Sequence, residues 1–322
     1  MPSTIELLSE QVRTDPVRVV LPETDDPRVL QAANELARRG LALPILIGSS
    51  QQLASAVIGH ESISFVDPAD SDRLARCADH LFSRRQHKGM TREQALEQAA
   101  DPVYFAALLV AIGEADAAVA GSVASTAHVV RSVLHSIGTA ADTKSLSSFF
   151  LMQFPDRAVT YADCGLIPDP DESQLADIAI AAAKNHTRLT GESPRVAMLS
   201  FSTHGSAKHP RTEKVIAAVK QVQSRMPTLN IDGELQFDAA WVPEVAQRKC
   251  PDSNVAGRAN VLIFPDLDSG NIAYKITERL GGAQALGPLI QGAAKPMMDL
   301  SRGCSADDIV NVAVIASIMA KN

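Results

Sequence analysis

Two periods of apolar and polar positions alternate along most of the chain. Glu6–Arg13 reads as a short helix, and Val17–Leu21 as a brief β-branched strand. Pro27 opens an amphipathic stretch that runs to Arg39 and stops at Gly40, the proline-first, glycine-last order of a helix. Leu43–Ile47 predicts a second strand, a helix starts near Gln51, and Ile63–Val66 is a third strand. Asp70–Gln86 is a charged helix. Thr91 with Gln94 forms a capping box that starts another. Asp116–Ala120 is a strand, Gly121–Thr126 a small-residue loop, and Ala127–Ile137 a helix that carries Arg131 one turn in.

Between Gly138 and Ser148 the chain turns polar, which marks a domain crossing. Beyond it, Val159–Tyr161, Val196–Phe201, Glu234–Asp238 and Asn260–Phe264 read as strands. Helices are expected at Gln174–Lys184, Thr212–Met226, Val242–Lys249 and Asn271–Leu280, with a glycine-rich tight turn over Leu280–Gly287. The run Ile309–Ala320 is apolar nearly all round, so the last helix is expected to be buried. Strands alternating with helices indicate an α/β protein with largely parallel sheets. In open sheets of that kind, ligands bind beyond the carboxyl ends of the strands. The loops at 121–126, 162–165, 202–206 and 265–271 are rich in Ser, Thr, Gly and Asp there, as a phosphate-bearing ligand would require.

Length and charge narrow the picture. A chain of 322 residues exceeds what one hydrophobic core usually fills, so two domains are expected. With 30 Lys+Arg against 37 Asp+Glu and 4% aromatic residues, general nucleic-acid binding is disfavoured. An anionic ligand then needs locally placed arginines. The four cysteines are far apart and form no metal-ligand spacing. The first residues lack a signal-peptide core, and no apolar run approaches a membrane span, which fits a cytoplasmic protein. GxxxxGK[ST], GxGxxG after a strand, GxSxG and HExxH are all absent.

Chemistry concentrates in KPMMDLSRGCSADD, residues 295–308. Ser305 and Asp308 form a capping box at the start of the last helix, and Ser301, Arg302 and Gly303 lie just upstream, near its positive end. A hydroxyl, a guanidinium and a carboxylate there suit an anion. Two readings of Asp308 remain open at this point: a helix cap only, or the acidic member of a reactive group. Cys304 is read as a packed small side chain, and His204 as a loop residue. The most basic patch, Arg84–Gly89, contains Arg85.

Several stretches together resemble the phosphate acetyltransferase family. They are GELQFDAAWVPEVAQRKCPDSNVAGRANVLIFPDLDSGNIAYKITERLGG (233–282), ALGPLIQGAAKP (285–296) and DLSRGCSADDIV (299–310), joined by AMLSFSTHGSA (197–207), YADC (161–164) and LPETDDPRVLQAA (21–33). The resemblance implies reversible acetyl transfer between CoA and inorganic phosphate, giving acetyl phosphate. It also implies a homodimer with no tightly bound cofactor, acting on CoA, acetyl-CoA, acetyl phosphate and phosphate, with neither nucleic acid nor membrane as a partner. The implied fold is two α/β domains with an inter-domain cleft, like isocitrate and isopropylmalate dehydrogenases. The last helix returns to the first domain, giving domains of 1–145 plus 299–322 and of 146–298. Ser301 and Arg302 match the family's DLSRG, Asp308 its aspartate seven residues past the serine, and Arg85 and Arg131 two further arginines. In the expected mechanism Asp308 accepts the thiol proton, Ser301 donates to the developing oxyanion, and Arg302 holds phosphate. Arg131 anchors the phosphoryl oxygens with the hydroxyls of Ser125 and Thr126, while Arg85 meets the acyl phosphate or a CoA phosphate. Met298, Trp241 and His204 depart from the family pattern. A non-catalytic acyl-CoA sensor and a metal-dependent hydroxyacid dehydrogenase are the alternatives.

Overall fold

The computed structural model describes residues 3–49 and 61–321; the helix expected near Gln51 lies outside them. The chain divides into a terminal unit, 4–141 with 293–322, and a central unit, 142–292.

In the terminal unit, β1 (Arg18–Leu21), β2 (Leu43–Ile47), β3 (Ser64–Val66), β4 (Ala117–Ala120) and β11 (Met297–Asp299) form a wholly parallel sheet in the order β11-β4-β1-β2-β3. The return to this unit comes at residue 293, ahead of the expected 299. The reason is β11, too short to show a period, whose Met297, Met298 and Asp299 align with Ala118, Val119 and Ala120. The helices are α1 (Thr4–Arg13), α2 (Pro27–Arg38), α3 (Ser71–Arg85), α4 (Arg92–Ala99), α5 (Pro102–Ile112), α6 (Thr126–Ser136) and the last helix, α12 (Ala306–Ala320). As its apolar sequence requires, α12 is buried: Ile309, Val310, Val312, Val314, Ile315 and Ile318 are nearly inaccessible. Each such side chain contributes about 1.5–3 kcal/mol on burial.

Helix α5 has no counterpart among the expected elements. Its run PVYFAALLVAI is apolar without interruption, and Val103–Val110 are all buried, so no amphipathic period marks it. Its ends are nevertheless conventional: Asp101 accepts the N–H groups of Val103 and Tyr104, Pro102 opens the helix, and Gly113 closes it in the left-handed region.

The central unit holds a six-stranded sheet in the order β10-β5-β6-β9-β7-β8. Its strands are β5 (Ser147–Gln153), β6 (Ala158–Ala162), β7 (Arg195–Leu199), β8 (Asn230–Leu235), β9 (Val261–Ile263) and β10 (Gln284–Gln291). β6, β9, β7 and β8 are parallel, whereas β5 runs antiparallel to both its neighbours. Its helices are α7 (Glu172–Thr190), α8 (Pro210–Arg225), α9 (Phe237–Trp241), α10 (Pro243–Lys249) and α11 (Leu267–Arg279). Three expectations are corrected here. β5, SSFFLMQ, is buried on both faces and shows no alternation. β10 replaces the second half of the expected tight turn: its Gly287-Pro288 is tolerated because the strand lies at the sheet edge and bulges between Leu286 and Leu289. Phe237 and Asp238, expected in a strand, start α9.

Candidate functional site

Because β11, β4 and β1 are adjacent and parallel, the segments leaving their carboxyl ends emerge side by side. The segment after β4 folds around Glu23, which comes from the segment after β1. Glu23 Oε2 accepts from the N–H of Gly121 at 2.7 Å, the N–H of Ser122 at 2.8 Å and the Ser122 hydroxyl at 3.0 Å. Its Oε1 accepts from the N–H of Val123 at 3.0 Å and of Ala124 at 2.6 Å. Gly121 makes the approach feasible: its φ is +104°, and a Cβ there would lie 2.7 Å from the Leu300 nitrogen. The four N–H groups of residues 121–124 are thus satisfied by the chain itself. Ser125 caps α6, accepting from the His128 N–H at 3.3 Å, and its own hydroxyl proton stays free to donate. Ser125 and Thr126 are both exposed.

The segment after β11 forms a turn in which the Cys304 N–H reaches the Ser301 carbonyl at 2.9 Å. Ser301 Oγ accepts from the Gly303 N–H at 3.3 Å, which leaves its hydroxyl proton available. Asp308 completes the expected capping box: its Oδ2 accepts from the Ser305 N–H and hydroxyl, each at 2.8 Å, and its N–H donates to Ser305 Oγ at 3.1 Å. Ser301, Arg302 and Asp308 are exposed. Cys304 is buried, and its thiol pKa is raised chiefly by desolvation, as befits a packed side chain.

Asp299 was not among the expected site residues. It ends β11, is 1% exposed, and neither carboxylate oxygen has a partner in good hydrogen-bond geometry among the described residues. Desolvation, reinforced by the charge of Glu23, raises its pKa to about 6; the Thr126 hydroxyl and the Leu300 N–H oppose part of that rise. No sequence motif separates it from an ordinary strand-end aspartate. Only its burial beside a second carboxylate does.

The arginines supply a sharper signal. Among the described residues Arg85, Arg131 and Arg302 make no side-chain hydrogen bond and no ion pair, and the Arg85 Nε is buried without a partner. Every other arginine is engaged, from the bidentate Arg18–Asp116 pair to Arg258 on the Asn254 carbonyl. Arg85 and Arg131 act on the same two groups, the Tyr104 hydroxyl and the His135 ring, which lie 3.1 Å apart. Burial first, then these two cations, lowers the His135 pKa, which keeps the ring neutral at neutral pH. Arg85 lines a cavity of about 600 Å³ with Lys88, Gln98, Asp101, Tyr104 and His128. No hydrogen bond or ion pair among the described residues joins the Arg85–Arg131 pair to Arg302 or Asp308.

The remaining polar loops are also closed from within. In the central unit, Asp163 accepts from the N–H groups of Ser148, Gly165, Leu166 and Ile167, and Glu234 from Ser202 Oγ and the Gly205 N–H. Asp266 caps α11. His204 has a positive φ of 46° and places Nε2 3.1 Å from Asp232, as a loop residue does.

Two α/β units, one of which carries three idle arginines and an exposed Ser-Arg turn after a parallel strand, make a fold suited to an anionic ligand. The profile of the phosphate acetyl/butaryl transferase family matches residues 3–317, and the chain belongs to that family. It is 48% identical to a phosphate acetyltransferase of Acetivibrio thermocellus over 99% of this chain and 98% of the relative. It is 46% identical to one of Paracoccus denitrificans over 94% and 95% of the two chains. A solved phosphotransacetylase from Streptococcus pyogenes superposes with a TM-score of 0.93 at 40% identity, covering 98% of each chain.

The state of Asp299 carries a measurable consequence. Between the ordinary aspartate value and about 6 the folded chain holds a proton that the unfolded chain has lost. Stability is therefore fully present below about 3.8 and declines as pH rises toward 6, by roughly 3 kcal/mol at most. Asp299→Asn removes this term. Its melting temperature, relative to wild type, should rise between pH 5 and pH 7.5 in thermal denaturation. A constant difference across that range contradicts the assignment.

Proposed function

We propose that the chain is a phosphate acetyltransferase, moving an acetyl group reversibly between CoA and inorganic phosphate without a tightly bound cofactor. The observation that carries this reading is the set of idle arginines. The three that match the family's functional arginines, Arg85, Arg131 and Arg302, are the three left without a hydrogen bond or ion pair among the described residues.

In the direction of acetyl-CoA formation, the CoA sulfur attacks the carbonyl carbon of acetyl phosphate and the carbon–oxygen bond to phosphate breaks. The thiol proton passes to Asp308 and on to the departing phosphate. A free thiol near 8.5 facing an ordinary aspartate near 3.9 is mismatched by about 4.6 units, roughly 6 kcal/mol, so prior deprotonation is unfavourable. Asp308 is exposed and caps the first turn of α12, within reach of solvent and substrate. Proton transfer therefore accompanies attack. The Ser301 hydroxyl, oriented by Gly303, donates to the carbonyl oxygen as charge develops there. Arg302 binds the phosphate through its fork of N–H groups. Arg131, with Ser125 and Thr126, anchors phosphoryl oxygens, and Arg85 takes a phosphate of either substrate.

The direct test is acetyl-CoA formation from acetyl phosphate and CoA, run beside propionyl and butyryl phosphates. No turnover with any of them would leave the non-catalytic acyl-CoA sensor. Asp308→Asn should lower kcat by about 100-fold or more with little change in KM. Near wild-type turnover would reduce Asp308 to a helix cap. Arg302→Lys keeps the charge but loses the fork, and should lower kcat/KM by about tenfold or more, a loss that full activity would refute.

A homodimer in the cytoplasm completes the proposal. All four cysteines are free and buried, and no single helix among the described residues is long and apolar enough to cross a membrane. On the central unit Ile272, Ile276 and Leu280 follow one another at helical spacing along α11 and its end, and are 57%, 52% and 84% exposed. This stripe is the surface offered to a second copy. Ile276→Lys should shift the mass in sedimentation equilibrium from dimer to monomer, and an unchanged dimer would place the contact elsewhere.

A further inference from the structure

The segment after β1, together with the first turn of α2, holds both loops that carry the proposed reacting groups. Glu23 uses both carboxylate oxygens to close the loop after β4, as described above. Five residues on, Arg28 reaches the loop after β11. Its Nη1 donates to the Arg302 carbonyl at 3.0 Å and the Cys304 carbonyl at 2.6 Å. Its Nη2 donates to the Ser122 carbonyl at 3.1 Å and to Asp26 at 2.6 Å, while Nε reaches both Asp26 oxygens. Asp26 is 6% exposed and also caps α2 through the Arg28 N–H at 2.9 Å, so the guanidinium is fixed against a buried partner. The Thr24 hydroxyl anchors the same segment to the Ile47 carbonyl at 2.8 Å.

We infer that Glu23 and Arg28 are positioning residues for acyl transfer. Together they clamp the backbone of 121–124 to that of 302–304, and so set the placement of Ser125 and Thr126 relative to Ser301 and Arg302. The inference rests on the proposed acetyltransferase reading. Neither side chain delivers or accepts a proton in the reaction. Arg28 spends its donors on three carbonyls and one carboxylate, and Glu23 accepts from four N–H groups and one hydroxyl.

The chemistry of the clamp dictates the variants. An amide at position 23 has one acceptor oxygen, and its NH2 would point at N–H donors, so Glu23→Gln breaks about half the contacts while keeping the shape. Glu23→Ala opens a nest of donors that a small carboxylate can refill. Lysine at position 28 can keep the charge beside Asp26 but cannot bridge Ser122, Arg302 and Cys304 at once.

Steady-state kinetics should show kcat of Glu23→Gln and Arg28→Lys reduced roughly 10–100-fold, the range for groups displaced by about an ångström, with KM for CoA and acetyl phosphate within about threefold of wild type. Formate at tens of millimolar should restore a substantial part of kcat to Glu23→Ala and leave wild type unaffected. Amide hydrogen exchange in the same variants should speed up in both 121–124 and 302–304, and in Glu23→Ala it should slow again with formate. Wild-type kcat in Glu23→Gln and Arg28→Lys, or exchange confined to 121–124, overturns the clamp. If wild type itself fails to make acetyl-CoA, the acetyltransferase reading falls. Exchange then decides the clamp: loss in both loops with recovery in formate upholds the mechanical coupling, and its absence refutes it. A variant too unstable to purify is replaced by Glu23→Asp, whose shorter carboxylate should give a smaller kcat loss in the same direction, with unchanged kcat counting against the clamp.

Discussion

A carboxylate lodged inside a turn governs what the terminal unit can present to a ligand. Four successive backbone N–H groups at the end of a parallel strand, ahead of a helix, form an anion site whatever the sequence around them. Here the anion is Glu23, supplied by the neighbouring strand. The loop is thereby satisfied from within, which leaves the Ser125 hydroxyl at its rim free to donate. The same charge reaches Asp299, whose ionisation is opposed first by burial and then by Glu23. One negative charge thus shapes the loop and adds to the burial that raises the pKa of a second carboxyl.

The central unit repeats the device without the arginines. Asp163 gathers three N–H groups from its own loop and one from β5, and Glu234 closes the loop after β7. Gly270 sits so close to the Asp163 carbonyl and the Cys164 sulfur that a side chain would not fit, which packs the start of α11 onto this turn. Backbone groups at strand ends need partners in any α/β protein, and a short acidic side chain is the cheapest local source. A loop rich in Gly, Ser, Thr and Asp therefore signals an organised turn before it signals a ligand.

That distinction explains what the sequence could and could not disclose. Amphipathic helices and their caps were legible because one face of each helix meets water, and short apolar strands because polar turns bound them: α2 runs from Pro27 as expected, and both expected capping boxes form. Helix α5 and strand β5 escaped, since neither has a polar face to set a period. β10 escaped because Gly287-Pro288, a turn signal in most settings, sits in an edge strand with a bulge. At the site, Ser301, Arg302 and Asp308 were readable as a group close in sequence. Glu23, Arg28 and Asp299 were not, because their contacts span roughly a hundred to nearly three hundred positions along the chain.

The arginines show how a family match and a physical argument can be kept separate. The sequence, read by motif and by family likeness, picked out Arg85, Arg131 and Arg302 with no knowledge of their partners. Geometry alone picks out the same three as the guanidinium groups without a hydrogen bond or ion pair among the described residues. In a chain with 37 acidic and 30 basic side chains, a carboxylate is seldom far from an arginine, so leaving three unpaired is not the default. For Arg131 and Arg302, which are exposed, water can supply the missing partners at little cost. Arg85 is different: its Nε is buried and unpaired, and a charged donor in that state costs free energy that no contact among the described residues returns. Arg131, acting on the same Tyr104 and His135, adds like charge to the same neighbourhood. A polyanion such as a phosphate ester offsets both terms at once, by accepting from Arg85 and by neutralising the pair, and a neutral ligand offsets at most the first.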